Sequence, residues 1–488
     1  MNIPMKTGGL DEGDEPLYQP HKKIYPQSVH GTYRRIKWLV LIVTLGIYYL
    51  TPFIRWDRGP GAPDQAVLIN LPARRFYFFF IEIWPQEIYY LTGLLILAAL
   101  ALFLMNAVAG RVWCGYLCPQ TVWTDLFLTI ERWTEGDRRE RMHNDAGKLT
   151  PQLAARKALK HFLWLMTAWW TGGAWVLYFA DAPTLVYDLA TFQAPLIAYI
   201  WIGILTFTTY AFAGHLREQV CLYMCPWPRI QAALTDEDAF NVTYRFDRGE
   251  PRMSVKKAAV AHTKSEPAGD CVDCYQCVAV CPTGVDIRDG PSLGCIQCGL
   301  CIDACDTVMT KLDRPTRLIA YDTDVNIRRR QDGLPSAARI IRPRTLLYTV
   351  IIAAVGAVML WALATRELVS LNVIHDRNPE YVVLADGGVR NAFTLRILNK
   401  HGDLRRFAIT LKGVSGATLD VIGASDESNG KVVDVGPDQT REVRVIVSVD
   451  SRVLGSLPIA FVLHDLSDDT LVRGFDNFRG PDKEDNAS

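Results

Sequence analysis

Apolar residues along this chain come in blocks, not evenly spread. Five runs approach the length that crosses a hydrocarbon core of about 30 Å. They are IKWLVLIVTLGIYYLTPFI at 36–54, IYYLTGLLILAALALFLMNAVA at 88–109, FLWLMTAWWTGGAWVLYFA at 162–180, LIAYIWIGILTFTTYAFAG at 196–214 and LLYTVIIAAVGAVMLWALA at 346–364. Charges border each run, and Trp and Tyr gather near the ends, where headgroups would lie. Five runs this long fit membrane helices better than buried helices of a soluble protein. The first begins after a polar stretch and lacks an A-x-A site, so it reads as a retained anchor and not a cleaved signal.

Past Arg366 the period changes from helical to alternating. AFTLRILN, FAITLKG, REVRVIVSV and IAFVLHD alternate in twos and are rich in β-branched residues. About seven or eight strands fit 366–480, which predicts an immunoglobulin-like sandwich without its disulfide. Its histidines, His375, His401 and His464, are isolated and read as packing or surface residues. The tail DKEDNAS is expected to be disordered. Residues 131–161 read as a charged loop with a basic helix leading into the third run, its arginines expected at anionic headgroups. Residues 236–265 read as a polar connector with short extended pieces.

Basic residues set the orientation. Lys22, Lys23, Arg34 and Arg35 precede the first run, and Arg138, Arg139, Arg141, Arg156, Lys157 and Lys160 lie between the second and third. The loop DAPTLVYDLATFQAP has no Lys or Arg. These place the N-terminus and the long loop 215–345 in the cytoplasm and the C-terminus in the periplasm of a bacterial inner membrane. One loop dissents: residues 55–87, expected outside, carry Arg55, Arg58, Arg74 and Arg75. The formal net charge is zero, so no nucleic-acid-like field is implied.

Candidate chemistry lies in cysteine. Of the chain's 12 cysteines, Cys271, Cys274, Cys277 and Cys281 follow C-x2-C-x2-C-x3-C, with Pro282 next. Cys295, Cys298, Cys301 and Cys305 repeat the spacing, with Asp306 in place of proline. This is the run of a two-cluster ferredoxin, in which the fourth cysteine reaches the other [4Fe–4S] cube. One cube is therefore expected on Cys271, Cys274, Cys277 and Cys305, the other on Cys281, Cys295, Cys298 and Cys301. Structural zinc prefers two separated knuckles, and a disulfide framework fits the even count but not the repeat.

The other four cysteines form a second repeat, RVWCGYLCPQTVW at 111–123 and EQVCLYMCPWPRI at 218–230. Cys114 with Cys118, and Cys221 with Cys225, are each C-x3-C-P and follow the second and fourth runs. On a helix, i and i+4 share a face. Thiolates with the Met224 thioether suit a soft metal such as Cu(I) or an iron–sulfur cluster. A redox dithiol and plain buried packing remain open beside that reading. His215 and Met105, nearby in sequence, each read as packed membrane-edge residues.

CGYLCP, CLYMCP, the paired ferredoxin run and the terminal FDNFRGP together resemble the cytochrome c oxidase accessory protein family (CcoG, FixG or Rdx type), over nearly the whole chain. The resemblance implies an oxidoreductase that reduces Cu(II) to Cu(I) and supports copper delivery to, and assembly of, a cbb3-type cytochrome c oxidase. Its implied partners are that oxidase or its copper-assembly factors, an electron donor the sequence does not name, and the lipid membrane. Two other readings stand beside it: a quinol-linked electron-transfer subunit of a periplasmic reductase, and a non-catalytic assembly scaffold.

The expected organisation is a multidomain membrane protein. An N-terminal cytoplasmic segment (1–35) leads into a membrane domain with four spans and both C-x3-C-P motifs (36–235). A dicluster ferredoxin-like α+β insertion (236–345), the fifth span (346–364) and the periplasmic β sandwich (365–488) follow.

Overall fold

The computed structural model describes residues 23–59, 62–427, 430–450 and 454–481. Lys22 and the tail 482–488 lie outside the described residues. The chain divides into two compact units.

The first unit holds most of the helices: α1 (Thr32–Leu50), α2 (Tyr89–Ala109), α3 (Val112–Tyr116), α4 (Pro119–Glu135), α5 (Arg138–Ala146), α6 (Pro151–Val176), α7 (Ala182–Ala190) in part and α8 (Leu196–Thr209). Among the described residues, four helices are long and apolar enough to cross a membrane: Thr32–Phe53, Tyr89–Ala109, Leu196–Met224 and Pro343–Ala364. The third expected span falls on α6, whose apolar half begins late and carries four tryptophans, Trp164, Trp169, Trp170 and Trp175. It does not meet that standard. Gly172 lets α6 approach α8, because a Cβ there would lie 3.0 Å from the Ile202 carbonyl oxygen and the Thr206 nitrogen.

The charged stretch after α4 is not a loose loop. Arg141 is 1% exposed, paired with Glu131 at 2.8 Å and bonded to the Pro26 carbonyl. Lys160 pairs with Glu135 at 2.8 Å. Burial alone would raise the Glu131 pKa, but Arg217 and Arg141 overcome it and hold the carboxyl below its usual range. These cations therefore brace the protein instead of reaching headgroups.

A small α+β region follows α8. Strands β4 (Asn241–Tyr244) and β5 (Ile319–Asp322) pair antiparallel beside the cysteine-rich loops. The extended pieces expected in 236–265 thus include β4. Residues 23–31 lie against this region: Gln27 N donates to the Ala279 carbonyl at 2.8 Å. Asp303, on helix Leu300–Lys311, accepts the N–H groups of Tyr33 and Arg34 at the start of α1.

The second unit joins Pro52–Tyr90, Tyr178–Thr184 and Val355–Ser488. A three-stranded sheet, β1 (Val67–Asn70), β2 (Arg75–Phe78) and β3 (Ile81–Ile83), forms where sequence gave only a loop. Ten strands then follow: β6 (Val369–His375), β7 (Val382–Val383), β8 (Val389–Asn399), β9 (Arg405–Lys412), β10 (Ala417–Val421), β11 (Ser425–Glu427), β12 (Gly430–Val435), β13 (Gln439–Val449), β14 (Ser456–Asp465) and β15 (Leu471–Arg479). They make two antiparallel sheets, β10-β13-β8-β6 with β7 on β8, and β11-β12-β9-β14-β15.

Alternate residues of β13, Val443, Val445, Val447 and Val449, point into one core with Phe393, Phe407, Phe461 and Phe478. The strands beyond the expected seven or eight are β7 and β11, too short to show a period.

Three of the four dissenting arginines of 55–87, all but Arg74, are held by protein groups. Arg55 pairs with Asp181 at 2.6 Å. Arg58 donates to the carbonyls of Pro63, Gln65, Ala66 and Phe79. Arg75 bonds Glu82 and Asp438. Arg74 is exposed, with no ion pair among the described residues.

Candidate metal centres

The two ferredoxin runs fold alike. Asp273 and Tyr275 have φ of 54° and 55°, and Gln297 and Gly299 have 57° and 74°. These are the same offsets, two and four residues past the first cysteine of each run. Three of the four are not glycine, so the left-handed conformation costs about 1 kcal/mol or more at each. Curled backbone of this kind turns N–H groups inward to face an anion, as at many iron–sulfur sites.

Helix Gln276–Ala279 ends before Cys281, and Pro282 prevents its return. Helix Leu300–Lys311 instead runs on through Cys305. Asp306 replaces proline there because the helix continues, and its carboxylate accepts the Arg317 N–H at 2.6 Å.

The thiols are grouped crosswise. Cys271, Cys274, Cys277 and Cys305 line one small cavity with Tyr244 and Met309. Cys281, Cys295, Cys298 and Cys301 line a second. Cys277 borders both, so the two cavities adjoin.

Burial pushes the thiols of Cys277, Cys295 and Cys305 up to about 12, and Cys305 is raised further by Cys277. Cys301 is raised well above the thiol range by burial and by Cys298. Without a cation the thiols of Cys277, Cys295, Cys298, Cys301 and Cys305 would stay protonated and inert. Bound iron would supply the missing positive charge, and the type, number and crosswise grouping of the donors fit two cubes.

The C-x3-C-P motifs are not single helix faces. Cys114 sits in α3, but Cys118 is extended (φ −61°, ψ 127°) as the residue before Pro119, which opens α4. Cys221 sits in a π-helical turn, Val220–Met224, and Cys225 is extended (φ −81°, ψ 122°) before Pro226. The cause is common: a residue before proline is pushed out of the helical region.

The four thiols share one neighbourhood, close enough for their charges to act on Cys114, but among the described residues no three of them bring their sulfurs within 4.8 Å of one another. Burial and then the charges of Cys118, Cys221 and Cys225 push Cys114 up to about 12. Met224 is 56% exposed. Glu131 on α4 pairs with Arg217 at 3.0 Å, tying the helix that starts at Cys118 to the segment carrying Cys221.

This group abuts the dicluster region. A Cβ on Gly115 would lie 2.8 Å from the Ile296 carbonyl oxygen and 3.1 Å from Cys298 Cα. Only glycine allows that approach. Tyr116 OH donates to the Cys298 carbonyl at 2.9 Å. Arg111 Nη1 donates to the carbonyls of Leu293 (2.8 Å) and Cys295 (3.3 Å). Cys221, Pro282, Thr283 and Ile296 line one small cavity. Sequence spacing gave no sign of Gly115 or Arg111. The signal available was Gly115's place inside the repeated motif.

His215 stacks on His161 with ring centroids 5.9 Å apart, and Tyr210 OH bonds His161 Nδ1 at 2.9 Å. Met105 is half-buried. His375 bonds Asn391 at 2.8 Å. His464 bonds Asp469. His401, Asp465 and Asp468 offer ligand atoms within 4.8 Å of one another, a grouping sequence did not show. Arg405 bonds all three and already supplies the positive charge there.

Comparison with known proteins agrees in its parts. Residues 216–324 match the family described as "4Fe-4S dicluster domain", 91–133 match "4Fe-4S binding domain", and 359–481 match "IG-like fold at C-terminal of FixG". "Nitrogen fixation protein FixG" of Rhizobium meliloti is 50% identical over 89% of this chain and 88% of its own length. "Protein RdxB" and "Protein RdxA" of Cereibacter sphaeroides are each 48% identical, over 88% and 93% of this chain and 90% and 94% of theirs. With its iron–sulfur domains and apolar helices, this chain belongs to the FixG family of membrane iron–sulfur electron-transfer proteins.

Proposed function

We propose that the chain is a cupric reductase supporting assembly of a cbb3-type oxidase. Cys114, Cys118, Cys221 and Cys225 would hold a Cu(II) substrate beside the dicluster region, whose cubes, when bound, would supply the electron. The close packing of Gly115 on the Ile296–Cys298 backbone carries this reading, because it puts the membrane-edge thiols directly against a cluster loop.

Cys271, Cys274, Cys277 and Cys305 would hold one cube, and Cys281, Cys295, Cys298 and Cys301 the other. Bound cubes supply one-electron redox chemistry. The chain's own groups do the rest. Arg111 fixes the loop at Leu293–Cys295, Gly115 and Tyr116 hold the second motif against it, and the four thiols select Cu(I) over Cu(II). Each Cu(II) takes one electron to become Cu(I). Met224 serves as a further soft ligand from the exposed side.

The test is to reduce the purified protein anaerobically, add Cu(II), and follow cluster reoxidation with Cu(I) formation. Equal rates should appear in both signals. Redox-inert clusters would instead favour a scaffold role, and quinone copurifying in stoichiometric amount would favour a quinol-linked subunit.

A second reading has its own support: the match of 91–133 to a 4Fe-4S binding family covers only Cys114 and Cys118 among the cysteines. On that reading the four thiols hold a third cluster, and iron rises to about twelve per chain.

For the architecture, we read the β domain as an immunoglobulin-like sandwich and α6 as the third of five spans. The dicluster region then faces the cytoplasm of the inner membrane and the β domain the periplasm. A reporter fused after Ser488 should be active outside and one inserted near Lys264 inside; the opposite pattern would overturn this orientation.

A further inference from the structure

Beside the start of α1 lies a cavity of about 260 Å³, lined among others by Ser28, His30, Arg34, Arg35, Trp38 and Arg132. Its charged lining is cationic throughout, with no carboxylate. Arg34 is satisfied: its Nη1 meets both Asp125 oxygens at 2.8 Å. Arg35 is exposed and has no ion pair among the described residues. Arg132 is the stronger sign. Its Nε is buried with no hydrogen-bond partner.

Both carboxylates whose charge acts on Arg132 are already engaged. Asp125 serves Arg34 and Lys37. Asp137 accepts from Ser28 and from Arg138 N. Arg132 is half-buried on the cavity wall and has no ion pair among the described residues, so an anion entering the cavity would meet an uncommitted guanidinium.

The depth of the cavity says which anion. It opens where a membrane-crossing helix begins, with Trp38 on its wall, at the level aromatic residues hold among headgroups. Below it, Ile36, Leu39 and Val43 are 42%, 63% and 49% exposed. At i, i+3 and i+7 they form one apolar stripe. Charge and stripe together fit a molecule with an anionic head and apolar tails.

We propose that this cavity binds the phosphodiester of an anionic phospholipid. Arg35 and Arg132 meet the phosphate, and the acyl chains run along Ile36, Leu39 and Val43. The bound lipid would also steady the segment 23–31, which bonds the dicluster region through Gln27 and Ala279.

The test uses the full-length protein, purified in mild detergent with its clusters. Wild type should retain an anionic lipid seen by native mass spectrometry. Each arginine near a membrane surface is worth roughly fivefold in affinity for anionic lipid. The Arg35→Gln/Arg132→Gln variant should therefore bind phosphatidylglycerol roughly twenty-five-fold more weakly, with iron content unchanged. In phosphatidylcholine nanodiscs, adding phosphatidylglycerol should raise the unfolding midpoint of wild type and not of the variant. Inorganic phosphate should do neither.

Equal lipid retention by both proteins, or no retention by wild type, overturns the proposal. Displacement of the lipid by inorganic phosphate overturns it too, because the site would then take a free anion. If the double variant loses iron through misfolding, Arg35→Gln alone, at an exposed position, must still show its fivefold drop.

Discussion

The two cysteine systems are built on opposite principles. In the ferredoxin runs each triplet of thiols is held by its own loop, through left-handed residues at matching offsets, and one more cysteine crosses over. In the C-x3-C-P pairs the loop does little beyond ending a helix at proline. Those thiols are neighbours only because separate helices bring them near one another, with Glu131 bonded to Arg217 across the gap. A site encoded by one loop should tolerate helix shifts but not a lost ligand. A site assembled from helix ends should show the reverse.

The largest effect expected is on the loop-encoded site. Cys277→Ser and Cys305→Ser should each remove the same cube, lowering iron from about eight to about four per chain. Electron paramagnetic resonance of the reduced variants should show the same surviving signal. If Cys305→Ser instead spares the cube of Cys271, the crossed grouping is wrong.

Next comes Glu131→Gln. It leaves Arg141 and Arg217 buried without their anion, at a cost of about 3–5 kcal/mol. Copper binding should fall while iron content stays level. The same ion pairs give a pH dependence. Because the folded Glu131 carboxyl titrates below its unfolded value, its stabilisation is full above the unfolded pKa of about 4.3 and is lost as pH falls through the folded value. Thermal unfolding of wild type, but not of Glu131→Gln, should show that extra acid sensitivity.

The smallest change in structure is Gly115→Ala. Its methyl would press on the Ile296 carbonyl and cost about 1–3 kcal/mol as overpacking. Cluster oxidation by Cu(II) should slow while both iron content and copper affinity are retained. Unchanged kinetics would mean the electron does not pass at this contact.

How much could be read in sequence follows the same divide. Local patterns were visible: the quartets by spacing, the β strands by their period of two, and four helices by unbroken apolar length. Features set by tertiary packing were not. Sheet β1–β3 is three to four residues per strand, too short for periodicity. The motif proline could be seen, but the helical i,i+4 expectation missed that it breaks the helix at Cys118 and Cys225. That Asp306 replaces proline because its helix continues shows only once Arg317 is seen bonding it. α6 looked like a span by length, yet its tryptophans make it less apolar than the other four.

The central claim is that loop-held thiols carry iron while helix-held thiols receive copper. The most direct measurement is metal content of the variant with Cys114, Cys118, Cys221 and Cys225 all changed to serine, beside wild type. Both proteins should hold about eight iron, and the variant alone should lose Cu(I) binding and Cu(II)-driven cluster oxidation. About twelve iron in wild type, falling to about eight in the variant, would contradict the account and make the membrane-edge thiols a third cluster site.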